Sequence, residues 1–224
     1  MKRSEINKLI QESIDFFHQM NFKLPPWAFW KPEDWKGKYD SCSEIINNIL
    51  GWDLTDFGSS EFLKQGLILF TIRNGNLQKD RKIYAEKIMI VEENQETPMH
   101  FHWNKMEDII NRGGGNLVIE LFNSDKNEDF SKADFDVKID GITRRLKPGS
   151  QVILAPGESI CLEQGVYHRF YGEHKKGKVL VGEVSTVNDD TSDNRFYDSV
   201  GRFPEIEEDE QPLHLLASDY SHYL

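Results

Sequence analysis

The sequence predicts a mainly β protein, an antiparallel sandwich or barrel, with helices confined to an N-terminal region at about residues 1–60. Three observations predict it. From about Gly66 onward the chain falls into short apolar, β-branched runs separated by turn residues. No helical period lies between those runs, which argues against βαβ crossovers and a parallel sheet. Before Gly66, by contrast, apolar residues recur at the spacing of a helix face.

Taken in order, the first element is a helix from Ser4 to Met20, in which Ile6, Leu9, Ile10, Ile14, Phe16, Phe17 and Met20 share one face. Ser4 is its expected N-cap, since a serine oxygen can accept a first-turn N–H. Leu24-Pro25-Pro26-Trp27 ends helical possibilities. An irregular arm follows to Lys38, carrying Trp27, Trp30 and Trp35, and is expected to cover a sheet or a partner subunit. A second short helix is expected from Cys42 to Leu50, before a break at Gly51-Trp52-Asp53. The expected strands are Leu67 to Arg73 before Asn74-Gly75, Lys82 to Val91, and Asn116 to Phe122 after a turn at Gly113-Gly114-Gly115. They continue with Phe135 to Ile139, Gln151 to Leu154, Ser159 to Leu162 and Val179 to Val187. With no repeat and no linker-like stretch, residues 1–224 are expected to form one domain.

Composition bounds the function. Apolar residues at 38% and charged residues at 29% describe a soluble globular chain, and 14 Phe, seven Tyr and five Trp supply an aromatic-rich interior. A net charge of −11 argues against nucleic acid, which demands a basic stripe, and disfavours acidic substrates. The acidic run from Glu205 to Glu210 is expected to be a solvated face. Cys42 and Cys161 form no spacing pattern, and Cys161, inside an apolar stretch, reads as a buried thiol of a reducing compartment. With no leader-like segment and no run of about eighteen apolar residues, a cytoplasmic protein without membrane partners is expected.

The chemistry concentrates in Thr97-Pro98-Met99-His100-Phe101-His102-Trp103-Asn104-Lys105-Met106-Glu107. On a strand His100 and His102 point to the same side, and Glu107 follows after a short bend. Alone, such a pair is equally well explained by surface or core histidines. A further histidine, His168, follows the glycine turn of Gly165. Here the chain resembles the cupin superfamily, which implies a jelly-roll barrel. The first cupin motif, H-x-H-x4-E-x6-G, is met by His100, His102, Glu107 and Gly114, and the second by Gly157, Gly165 and His168. Three departures stand out. Asn94 replaces the glycine that normally opens the first motif, Glu163 stands where a proline is usual, and Gly172 replaces a closing asparagine. His100, His102, Glu107 and His168 would give one divalent ion four ligands of intermediate hardness, suiting manganese, iron, zinc, nickel or cobalt, with positions left open for substrate oxygens.

Cupins host many chemistries, so the reaction must be read from groups around the ion. Lys105 lies between two ligands, and its ammonium either hangs near the metal or turns to solvent. Glu183 shares a strand face with Val179 and Val181, where a carboxylate is costly unless it is paired or functional. Lys87 alternates with Glu86 on a strand with apolar residues on both faces, so parity leaves its direction open. A metal, a lysine and an inward glutamate suit proton transfer next to a carbonyl, as in aldose–ketose isomerisation. There the ion would hold the O1 and O2 oxygens while a carboxylate moves the proton between C1 and C2.

Four blocks narrow the resemblance. "HFHWNKMEDIINRGGGNLV", "GWDLTDFG", "VGEVSTVNDDTSDNRF" and "GRFPEIEEDE" are similar to the bacterial D-lyxose isomerases, cupins that interconvert D-lyxose with D-xylulose and usually D-mannose with D-fructose. The resemblance implies a metal site of His100, His102, Glu107 and His168 that prefers Mn2+, and a homodimer. Lys105 and Glu183 become the candidate acid and base, and Lys87, Asp193 and Arg195 the candidate contacts to sugar hydroxyls. Trp103 and Phe170 are either stacking partners for the sugar or core residues. The competing expectations are an iron-dependent cupin dioxygenase, with a more apolar pocket, and a non-catalytic sugar-binding cupin.

Overall fold

Strands with one apolar face must bury it against a second layer. The computed structural model, which describes residues 1–79, 81–187, 189, 192–201 and 204–223, places two antiparallel sheets face to face. Asn188, Asp190, Thr191, Arg202 and Phe203, within the blocks that carry the resemblance, lie outside the described residues.

Chain order runs through helix α1 (Arg3–Gln19), two 3₁₀ turns, helix α2 (Ser43–Asn47), β1 (Gly51–Thr55), β2 (Leu67–Arg73), β3 (Tyr84–Val91), β4 (His100–Phe101), β5 (Glu107–Gly114) and β6 (Leu117–Asn123). It continues with β7 (Phe135–Ile139), β8 (Ile142–Leu146), β9 (Ser150–Leu154), β10 (Ser159–Leu162), β11 (Val166–Gly172), β12 (Val179–Thr186), β13 (Arg195–Phe196) and a closing helix α3 (Tyr220–Tyr223). The larger sheet has the order β1-β2-β3-β12-β5-β10-β7-β8, and the smaller β13-β4-β11-β6-β9. One core fills the space between them, with Met89, Ile109 and Val181 from the larger sheet meeting Leu117, Ile119 and Phe170 from the smaller. The residues alternating with these, Ile68, Phe70, Ile88, Ile90 and Leu180, face outward and are covered by Ile6, Ile10, Ile14 and Phe17 of α1. The barrel and its helical cover are therefore the two sides of one sheet. No helix of the described residues is long and apolar enough to cross a membrane.

Several expectations are corrected. Gly51-Trp52-Asp53 is not a break but the start of β1, whose Trp52 and Leu54 are buried under α1 and the arm. α2 is shorter than Cys42 to Leu50. The triple glycine is not simply a turn, because β5 runs through Gly114. Gly113 and Gly114 adopt positive φ there, and the register against β12 shifts between Leu180 and Val181. Of the two alternatives for the Trp arm, covering a sheet is met within this chain: Trp27 packs on Phe70 of β2, while the Trp35 ring centroid lies 5.0 Å from that of Tyr220 in α3. Cys161 is half-buried rather than buried, since it alternates with the inward Ile160 and Leu162. Burial and neighbouring Asp108 push its thiol up to about 11.

The acidic run is not merely solvated. The helix begins at Arg3, with Ser4 inside its first turn rather than at its cap. The Ser4 backbone N–H and Oγ–H both donate to the Asp209 carboxylate, at 2.9 and 2.7 Å. Glu208 takes two contacts from the Arg3 guanidinium, and Glu210 accepts from Asn7 Nδ2 at 2.6 Å. Three carboxylates thus gather at the end of α1 where unpaired N–H groups and the helix dipole favour negative charge.

Candidate metal centre and active site

The two sheets bring chain segments far apart in sequence to one point inside the barrel. β4 pairs with β11 so that His100 lies opposite His168, and His102 follows two residues on. One ring nitrogen from each of these three histidines lies within 4.8 Å of the other two. Each ring has its Nδ1 at a backbone carbonyl: His100 at Pro98 O (2.8 Å), His102 at Asp193 O (3.0 Å) and His168 at Val166 O (3.0 Å). A carbonyl only accepts, so each Nδ1 carries a proton and each Nε2 is the ring atom left to meet an electrophile. His102 Nε2 is buried and has no hydrogen-bond partner. A buried orphan of this kind calls for an explanation, and a metal ion on the three Nε2 atoms supplies one. Burial, followed by the two other imidazoles, holds His100 well below its ordinary pKa, which keeps it neutral and able to ligate.

Glu107, the first residue of β5, turns its carboxylate to the same place, with Oε1 at 3.0 Å from His168 Nε2 and 3.6 Å from His102 Nε2. Its Oε2 faces the other way, 2.6 Å from Lys105 Nζ. Burial pushes this carboxyl up, but the Lys105 ammonium against it prevails and holds it well below the usual carboxylate range. Lys105 is therefore inside the barrel and not in solvent. Its Nζ also reaches Glu183 Oε1 at 3.0 Å, and Lys87 Nζ stands 3.7 Å from that oxygen. Glu183 and Lys87 are cross-strand partners on β12 and β3, which settles Lys87 as inward while Glu86 pairs with Arg73 outside. Two lysines and two glutamates thus form a buried, charge-balanced row beside the histidines.

These groups line a cavity of about 310 Å³ whose other walls include Asp53, Phe57, Met89 and Phe196. Phe170 lines it as well and is also part of the core. The remaining candidates lie elsewhere. Asp193 is buried outside the cavity wall, where Oδ1 accepts from the Asn104 N–H (2.8 Å) and Nδ2 (2.9 Å) and Oδ2 from the Lys105 N–H (2.8 Å). Its neighbour Asn194 is the one that lines the cavity. Arg195 is occupied by Glu128 at 3.1 Å, and Trp103, half in solvent, donates to the same Glu128 at 2.8 Å. The sequence reading missed Asp53, Phe57 and Phe196. Phe57 stands within the block "GWDLTDFG" that carried the resemblance, but nothing local says that it faces the cavity.

A family model for D-lyxose isomerase matches residues 1–220 of the chain. The chain belongs to the D-lyxose isomerase family. The isomerase is 48% identical over 227 residues to the D-lyxose/D-mannose isomerase of Serratia proteamaculans, with both chains covered in full. It has the same identity and coverage against the D-lyxose/D-mannose isomerase of Escherichia coli O157:H7. Among solved structures it is similar to the L-ribose isomerase of Cellulomonas parahominis, with TM-score 0.62, 15% identity, and 92% of this chain and 98% of that one covered. The L-ribose isomerase of Geodermatophilus obscurus gives TM-score 0.60 at 15% identity over the same shares. At that identity the likeness speaks for the fold, a cupin barrel.

Proposed function

We propose that the isomerase converts D-lyxose to D-xylulose, and D-mannose to D-fructose, by metal-dependent proton transfer through an enediol of the sugar. The observation that carries this reading is the buried row Lys87–Glu183–Lys105–Glu107, which lies against three converging imidazoles in the cavity wall. The curated relatives' names support the pair of sugars. His100, His102, His168 and Glu107 through Oε1 would hold the ion, and the resemblance favours Mn2+. Such an ion supplies Lewis acidity where negative charge develops on sugar oxygens.

The chain's own groups do the rest. Glu183 accepts the proton from carbon and returns it to the adjacent carbon, a task that needs an ionised carboxylate held against the substrate. Lys105 holds the Glu107 carboxylate charged, bridges it to Glu183, and donates a hydrogen bond to the sugar oxygen that gains charge. Lys87, in the same wall, contacts a sugar hydroxyl. Burial excludes water, so each of these charges acts at low dielectric. So charged a wall speaks against the dioxygenase, whose oxidisable substrate calls for an apolar pocket.

The test is to strip the protein with chelator, restore Mn2+ without oxygen, and follow D-lyxose and D-mannose for conversion to their ketoses. Conversion that appears only with added metal is the expected result. No conversion with any divalent ion would overturn the reading.

A further inference from the structure

We propose that Asp193 is the positioning residue of the site, holding His102 and Lys105 in register with each other; the proposal rests on the isomerase reading above. The segment from His102 to Lys105 has a difficult geometry. His102 and Lys105 are buried, whereas Trp103 and Asn104 between them are exposed, so the chain must bend sharply inside one turn. That bend presents two successive N–H groups, of Asn104 and Lys105, and the carboxylate of Asp193 accepts both, one on each oxygen. Asn104 Nδ2 adds a third donor to Oδ1. The carbonyl of the same residue accepts His102 Nδ1–H, which directs the His102 lone pair towards the other histidines. Four contacts from one residue thus fix a ligand and the bridging lysine together. Asp193 is itself held, because its N–H donates to Asp189 O at 3.0 Å and β13 ties the following residues to β4. Asp193 does not line the cavity, so it acts through His102 and Lys105 rather than on the sugar.

The test is Asp193→Asn, which keeps the shape but puts an amide N–H where a carboxylate oxygen faced an N–H. Titrating Mn2+ into the chelator-stripped protein should show affinity weakened by about 10–100-fold, the usual cost of losing an outer-shell partner. With metal saturating, kcat should fall while KM for D-lyxose stays within about threefold of wild type. A raised KM with unchanged kcat and unchanged metal affinity would overturn the proposal and make Asp193 a sugar contact. A lowered melting temperature with wild-type metal affinity and kcat would reduce it to a fold residue. If that variant does not fold, Asn104→Ala removes one contact at an exposed position. It should weaken Mn2+ binding in the same direction by a smaller factor, and unchanged binding would overturn the proposal. Should wild type convert no sugar at all, the isomerase reading fails while the metal titration still decides the role of Asp193.

Discussion

At the scale of single residues, Glu183 poses the sharpest question, because its pairing with Lys105 and Lys87 satisfies the electrostatics whether or not it handles a proton. Substitution separates the two. Glu183→Gln keeps volume and hydrogen-bonding capacity but cannot accept a proton, and Glu107 remains to hold Lys105. Turnover of D-lyxose should fall by about 10²–10⁴-fold, as is typical of losing a general acid or base, while the Mn2+ affinity of the stripped protein changes little. Unchanged turnover would leave Glu183 a counter-ion only. The histidines were legible through the cupin motifs, which join the pair His100 and His102 to His168 after its glycine turn; strand parity alone left the pair open. Asn94 was legible as a departure, and its φ of +57° takes the left-handed turn that glycine ordinarily makes. Gly172, the other departure at this place, accepts the Asn94 N–H on its carbonyl at 2.9 Å, so the two belong to one junction. Asp193 was not legible, since a carboxylate in a polar loop carries no sign of whether it will meet substrate or backbone.

At the scale of elements, strands were readable where apolar residues alternate or run together and were missed where function or exposure interrupts the alternation. β5 presents Glu107 and Asn111 inward around a single Ile109, and β8 is exposed along most of its length, so neither shows the apolar pattern of a buried strand. The acidic run misled for another reason: charge density says nothing about which helix end it will meet. Its energetic centre is Arg3, fully buried, which bonds Asp219 through Nη1 and Nη2, each at 2.9 Å, and Glu208 through Nε and Nη2. Arg3→Met would strand the buried Asp219 carboxylate, and such a loss costs about 3–5 kcal/mol. Urea unfolding of the metal-free protein should show that decrease, and Arg3→Lys should recover little, because an ammonium cannot reproduce the fork that serves two carboxylates. A loss below about 1 kcal/mol would mean that the latch contributes no more than a surface pair.

At the scale of the whole molecule, the site is where the two sheets meet. His100, His102 and His168 come from the smaller sheet and its extension, and Glu107, Glu183 and Lys87 from the larger. An ion bound by residues of both sheets stabilises only the folded arrangement, so its binding free energy adds to folding stability. At a free concentration of 100 times Kd the gain is about 2.7 kcal/mol. For a chain of this length, about 2–4 °C per kcal/mol turns that gain into a rise of roughly 5–10 °C in melting temperature. His168→Ala should abolish the rise, whereas Arg3→Met should lower the starting temperature and leave the rise in place, because the latch at α1 lies outside the barrel. The net charge of −11 adds a long-range attraction for cations, so the rise at fixed Mn2+ should shrink as monovalent salt increases. Thermal melts of the three proteins with and without Mn2+ measure all of this. A rise that survived His168→Ala would place the stabilising ion somewhere other than between the sheets.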